Sequence, residues 1–191
     1  MIKHQLYKTI FKRKSVRNYD MNPLSELALN EVKAFVDAAV PLVPELRYAT
    51  TYLCAGDVKN LLPIKAPHYL CLYSETKDHY LMNAGYLLQQ VDLFLSECGL
   101  GSCWLGMAKP NKQVATQQDG LEFVIMLAFG APAEPVHRTS VGEFKRKSLE
   151  AITSMEGEVS ELLEAVRLAP SASNSQPWIV GGTPSAILMN R

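Results

Sequence analysis

Residues 79–106 read HYLMNAGYLLQQVDLFLSEC and then GLGSCWLG, and this stretch decides the fold. Ala84, Leu87, Leu88, Val91, Phe94, Leu95 and Cys98 recur at helical spacing along one stripe. Tyr86 and Leu93 make the other side partly apolar, so the pattern predicts a helix buried on most faces. At ~1.5 Å per residue it spans about 30 Å, the width of a small domain. Gly99 is a natural stop, because glycine takes the left-handed conformation freely. The small residues after it read as a tight helix-to-strand turn packed by Trp104.

Outward from this helix, PHYLCLY (67–73) and LEFVIMLAF (121–129) are compact apolar runs of strand length, suited to buried strands. Residues 48–54 are also strand-like. A first helix is expected over 3–13, with Leu6, Ile10 and Phe11 on one side. A second is expected over about 24–39, opened by Asn22-Pro23 and ended before Pro41. Residues 57–62 suggest a short helical turn. Residues 158–168 suggest an amphipathic helix with Val159, Leu162, Leu163 and Val166 inward. Residues 181–191 carry turn residues and little pattern. Helices interleaved with strands argue for an α+β or α/β domain.

The chain has 191 residues, 48% of them apolar, enough for a core without covalent staples. Its formal net charge is zero, but the zero hides a split. Lys3, Lys8, Lys12, Arg13, Lys14 and Arg17 precede the first acidic residue, Asp20. A basic arm alone, without aromatic interleaving or a known module, argues against a dedicated nucleic-acid binder. Cys54, Cys71, Cys98 and Cys103 form no C-x-x-C pair and read as reduced thiols of a cytoplasmic protein. No apolar run approaches the ~20 residues of a membrane-spanning helix, so no membrane partner is expected.

Common catalytic motifs are missing. Gly99-Leu100-Gly101 begins like a dinucleotide loop but follows a helix and reaches Trp104 at its sixth position. The four histidines have no metal-ligand spacing. Three segments remain. Arg13-Lys14-Ser15-x-Arg17 suits a phosphate monoester, and equally a solvated basic run at a helix end. Residues 99–106 let backbone approach a flat ligand, and equally make an ordinary turn. Residues 170–178, PSASNSQPW, hold hydroxyl and amide donors between two prolines that could read a polar ring edge, or form a plain Ser/Asn turn.

Taken together, RKSVR (13–17), GLGSCWLG (99–106), GAP (130–132), FKRKSLEAI (144–152) and APSASNSQPW (169–178) resemble the FMN-dependent nitroreductase family. The resemblance implies an α+β, nitroreductase-like fold: a small mixed or antiparallel sheet flanked by helices. It implies an FMN oxidoreductase, with NADH or NADPH delivering hydride to flavin N5. A nitroaromatic, quinone or similar small acceptor is then reduced in a second half-reaction. By the same resemblance, Arg13, Lys14, Ser15 and Arg17 would hold the FMN phosphate, ribityl chain and pyrimidine edge. Cys103, Trp104, Leu105 and Gly106 would line the isoalloxazine, Lys145 and Arg146 would add phosphate contacts, and Ser171, Ser173 and Asn174 would reach the flavin. No side chain is expected to act as catalytic acid or base, and no metal is expected.

The order of the motifs departs from the ordinary family pattern, in which the PSxxNxQPW loop follows the first basic motif closely. Here Pro41-Leu42-Val43-Pro44 holds that place and the loop comes about 130 residues later. This resembles the internally duplicated subgroup, in which one chain imitates a dimer. Residues 1–155 then form a first repeat, and 156–191 the opening of a second, truncated one. A homodimer is the expected assembly if a partner surface is left exposed. The alternative to an enzyme is a non-catalytic remnant or FMN-binding interaction module, and within the fold a different flavin reaction such as reductive dehalogenation.

Overall fold

The computed structural model describes residues 2–114, 117–153, 155 and 160–190. In chain order its elements are helix α1 (Ile2–Ile10), helix α2 (Glu26–Asp37), strands β1 (Tyr48–Cys54), β2 (Val58–Asn60) and β3 (His68–Ser74), and helix α3 (Tyr80–Glu97). Strands β4 (Gly101–Leu105), β5 (Ala108–Pro110), β6 (Gln117–Gln118) and β7 (Leu121–Gly130) follow, then helix α4 (Ser160–Leu168) and strands β8 (Ile179–Thr183) and β9 (Ala186–Asn190). The start of the helix expected at 158, with Val159, lies outside the described residues.

The main sheet runs β1-β3-β7-β4, antiparallel throughout, with β6 pairing the start of β7. Every residue of β3 is buried, which is why its sequence shows no polar alternation. Tyr69, Cys71 and Tyr73 face one core with Cys103, Leu105, Met126 and Ala128. Leu70 and Leu72 face the other with Leu127 and Phe129. On that second face α3 inserts Leu87, Leu88, Val91 and Leu95, and α2 inserts Val32 and Val36. Phe35 stacks on Phe94 at 4.0 Å between the two helices. The first face is covered by extended chain carrying Val16, Tyr19, Ile64 and Ala66. The architecture is α+β: one small antiparallel sheet, helices, and two short accessory ribbons.

Leu162, expected inward, is exposed on α4, and the first helix stops at Ile10 rather than 13. Three further stretches differ from their sequence reading. Residues 57–62 are not a helical turn. A single 3-10 turn at Ala55–Asp57 is closed by Cys54 N–H donating to Asp57 Oδ2 at 3.1 Å, and the chain then extends as β2 against β5. Residues 101–105, read as part of a turn, are the edge strand β4. Residues 181–190 take part in a hairpin, β8–β9, whose alternation is invisible because of its residues only Val180 is buried. Gly182 has φ 99, and the Ala186 carbonyl fills the place of its missing Cβ.

Candidate functional site

The basic segment and the glycine-rich segment adjoin. Residues 13–17 run along the outer edge of β4, where Val16 N–H donates to the Ser102 carbonyl at 2.9 Å. Gly101 permits this approach, since a Cβ there would sit 2.7 Å from Val16 Cγ1. In an antiparallel edge strand, backbone groups alternate between partner and open side. The outward Ser102 carbonyl therefore turns the Trp104 N–H and carbonyl outward too. The Cys103 and Leu105 side chains point into the core, at 3% and 1% exposure. Burial pushes the Cys103 thiol above its ordinary pKa, so it is no ready nucleophile. Trp104 packs on the α3 side of the sheet, and Gly106 is exposed.

Arg13 is turned inward. Its Nε lies 3.1 Å from Asp92 Oδ2, and both side chains are buried. Asp92 also accepts from Ser102 Oγ at 2.5 Å and Gln89 Nε2 at 3.1 Å. Arg13 Nη2 donates to Ser15 Oγ at 3.2 Å. Lys14 Nζ sits 3.6 Å from Glu134 Oε2. The other oxygen of Glu134 takes the Arg17 and Asn18 N–H groups at 2.6 and 3.1 Å. The Arg17 side chain itself is exposed.

The closing basic motif and the polar loop meet at Arg146. Its guanidinium donates to the Phe144 carbonyl at 3.0 Å, the Leu168 carbonyl at 3.1 Å and Asn174 Oδ1. Asn174 Nδ2 returns a bond to the carbonyl of Lys145, an exposed residue with φ 50, at 3.0 Å. Gln176, buried, accepts from Lys147 N–H at 2.7 Å and donates to the Asn174 carbonyl at 2.9 Å. Ser171 Oγ accepts from Gln176 N–H at 2.9 Å. Ser173, Asn174 and Gln176 have φ values of 53, 56 and 49, uncommon for side-chain-bearing residues. These bonds hold that conformation, while the Ser173 side chain stays exposed.

Two residues missed in the sequence join the halves. Arg138 donates to the Arg13 carbonyl and lies 4.0 Å over the Phe144 ring. Arg146 lies 5.6 Å from the same ring centre. The chain Ser102–Asp92–Arg13–Arg138–Phe144–Arg146–Asn174 therefore connects all three segments. Asp92 had a usable signal: a carboxylate within the buried helix, one residue after Val91. Arg138 had none beyond its charge in a polar stretch.

The result is an arginine cluster short of counter-charge. Burial first, then Arg13 and Arg146, push the Arg138 pKa down to about 10. Burial, then Arg13 and Arg167, lower that of Arg146. Among the described residues no carboxylate lies within 4.0 Å of the Arg17, Arg138 or Arg146 guanidinium. The nearby Glu143 carboxylate is taken by Thr139. Arg146 Nε is buried without a hydrogen-bond partner. Guanidiniums in this state suit a multiply charged oxyanion, which accepts from each fork. A neighbouring cavity of about 90 Å³, lined by Ile10, Arg13, Leu93, Leu168 and Pro170, falls well below the ~300–1,000 Å³ of usual ligand pockets.

Residues 5–188 match the model of a family described as "Putative TM nitroreductase", and the chain belongs to this nitroreductase family. Among solved structures it is similar to a "putative nitroreductase" of Thermotoga maritima, with 20% identity and a TM-score of 0.64 over 97% of this chain and 75% of that one. A nitroreductase family protein of Clostridium difficile 630 matches at 19% identity and TM-score 0.59, over 80% and 98%. An FMN-dependent nitroreductase of Clostridium difficile R20291 matches at 16% identity and TM-score 0.55, over 72% and 96%. No curated protein matches. Among the described residues, no helix is long and apolar enough to cross a membrane, and no group of three metal-ligating side chains gathers.

Proposed function

We propose that this protein is an FMN-dependent oxidoreductase of nitroreductase type, using NADH or NADPH to reduce a nitroaromatic, quinone or similar acceptor. The observation that carries the reading is the meeting of the basic segment, the β4 edge and the Asn174 loop through Arg13, Arg138 and Arg146. The residues fit the phosphate end of FMN, since Arg146 Nε is buried and unpartnered and Arg17 is exposed without a carboxylate. Arg17 and Arg146, with Lys14, Ser15 and Lys145, would hold the phosphate and ribityl chain. Arg13, committed to Asp92, would position this segment rather than touch the ligand. The outward backbone at Trp104 and the exposed Gly106 would face the ring, with Cys103 and Leu105 supporting it from the core. Ser171, Ser173 and Asn174 would close over its polar edge.

When bound, FMN supplies two-electron hydride chemistry, and the protein positions and tunes it. The guanidiniums of Arg17, Arg138 and Arg146 would favour negative charge on the bound group. A single chain would carry both halves of this site, in keeping with an internal duplication at about residue 155. The test is FMN titration of Arg17→Ala and Arg146→Ala, followed by absorbance and flavin fluorescence. Each substitution is expected to weaken binding by about 1.5–3 kcal/mol, the range for hydrogen bonds to charged groups. Unchanged affinity in both removes the phosphate role.

A further inference from the structure

The geometry points to Arg138 and Arg146, stacked around Phe144, as an anion-operated joint: a phosphate dianion bridging them docks the 169–178 loop onto the rest of the chain. The inference rests on the flavin reading only for the identity of the natural anion.

Arg146 belongs to two assemblies at once. Through the Leu168 carbonyl and Asn174 Oδ1 it grips the loop at its start and its middle. Through the Phe144 ring it shares an aromatic surface with Arg138, whose guanidinium is tied to the Arg13 carbonyl on the other side. Cation–π contact lets both cations stack on the ring but does not neutralise them. Both are bonded only to neutral acceptors, carbonyls for Arg138 and carbonyls with the Asn174 amide for Arg146, and the one carboxylate whose field reaches Arg138, Glu143, is hydrogen-bonded by Thr139. Gripping the loop thus holds Arg146 near Arg138 and Arg13 against charge repulsion. A dianion accepting from both forks reverses the sign of that interaction and leaves the grip on Asn174 intact. The unpartnered Arg146 Nε is a donor such an anion could use. The strained left-handed residues Ser173, Asn174 and Gln176 are those whose conformation depends on this grip.

Linkage then requires that whatever binds the docked form stabilises docking by its differential affinity. Amide hydrogen exchange of residues 169–180 reads this directly in the intact chain, with inorganic phosphate, FMN, riboflavin and sodium chloride at matched ionic strength as probes. The expected result is that FMN and, more weakly, inorganic phosphate slow exchange of the loop amides at least tenfold, while riboflavin and chloride do not. In Arg138→Gln the phosphate effect is expected to vanish, and in Arg138→Lys to be partly restored, with core amides of β3 and β7 unchanged in both as the control for folding. If either variant fails that control, the wild-type contrast between phosphate and chloride decides alone. Protection by phosphate without any FMN binding would uphold the joint and sink the flavin reading. FMN binding with no change in loop exchange, or an equal response to phosphate and chloride, would overturn the joint.

Discussion

The sheet with its helix α3 and the arginine-rich region around residues 138–178 are held together by opposite means. In the first, both faces of β3 and β7 are filled by apolar side chains, and its buried Arg13 is matched by a buried carboxylate. In the second, Arg138 and Arg146 stack on one aromatic ring and bond carbonyls and an amide rather than carboxylates, with Arg146 Nε left unpartnered. The contrast separates two uses of arginine. One matched to its counter-charge fixes a fold, whereas one left short of it is disposed to accept a ligand.

Breaking the matched pair should have the largest effect. Asp92→Ala strands the Arg13 charge in the core and should cost about 3–5 kcal/mol, as when one partner of a buried pair is removed. Denaturant unfolding measures it, and a loss under about 1 kcal/mol would mean water reaches Arg13. Gly130→Ala probes the apolar side. A Cβ there would lie 2.5 Å from Pro67 Cγ, so overpacking should cost about 1–3 kcal/mol by the same assay. Asn174→Ala should leave the sheet intact yet weaken FMN by about 1 kcal/mol, the scale of a hydrogen bond, through loss of the Arg146 grip.

The smallest expected effect concerns pH. His68 Nε2 accepts the Leu24 N–H at 2.9 Å, a role only the neutral ring can fill, and burial followed by Lys33 lowers its pKa. The folded state binds this proton less readily than the unfolded chain. Its stabilising contribution is therefore present above the unfolded value of about 6.5 and is lost as pH falls through the folded one. Urea midpoints at pH 7.5 and 5 should differ less in His68→Gln than in wild type. An equal difference would place the pH dependence elsewhere.

The same contrast explains what was legible in the sequence. The helix at α3 and the strands β3 and β7 announced themselves because burial writes periodicity or unbroken apolar runs into a chain. Strand β4 did not, because its glycine serves close packing with Val16 rather than a turn. The β8–β9 hairpin did not, because nearly all of it faces outward. The motifs of the site could be named individually, but their junction could not. Arg138 reaches Arg13 across 125 residues and carries no local pattern. The inward turn of Arg13 depends on Asp92, a partner 79 residues away, which local sequence cannot reveal.

In the proposed reading, one chain holds a complete flavin-phosphate site built from all three segments. Titrating the purified chain with FMN, with its absorbance and molar mass followed together, tests this most directly. The expected result is saturation at one FMN per chain, a shifted flavin spectrum, and bleaching on addition of NADH or NADPH. A spectrum identical to free FMN throughout, with no bleaching by either nucleotide, would contradict it.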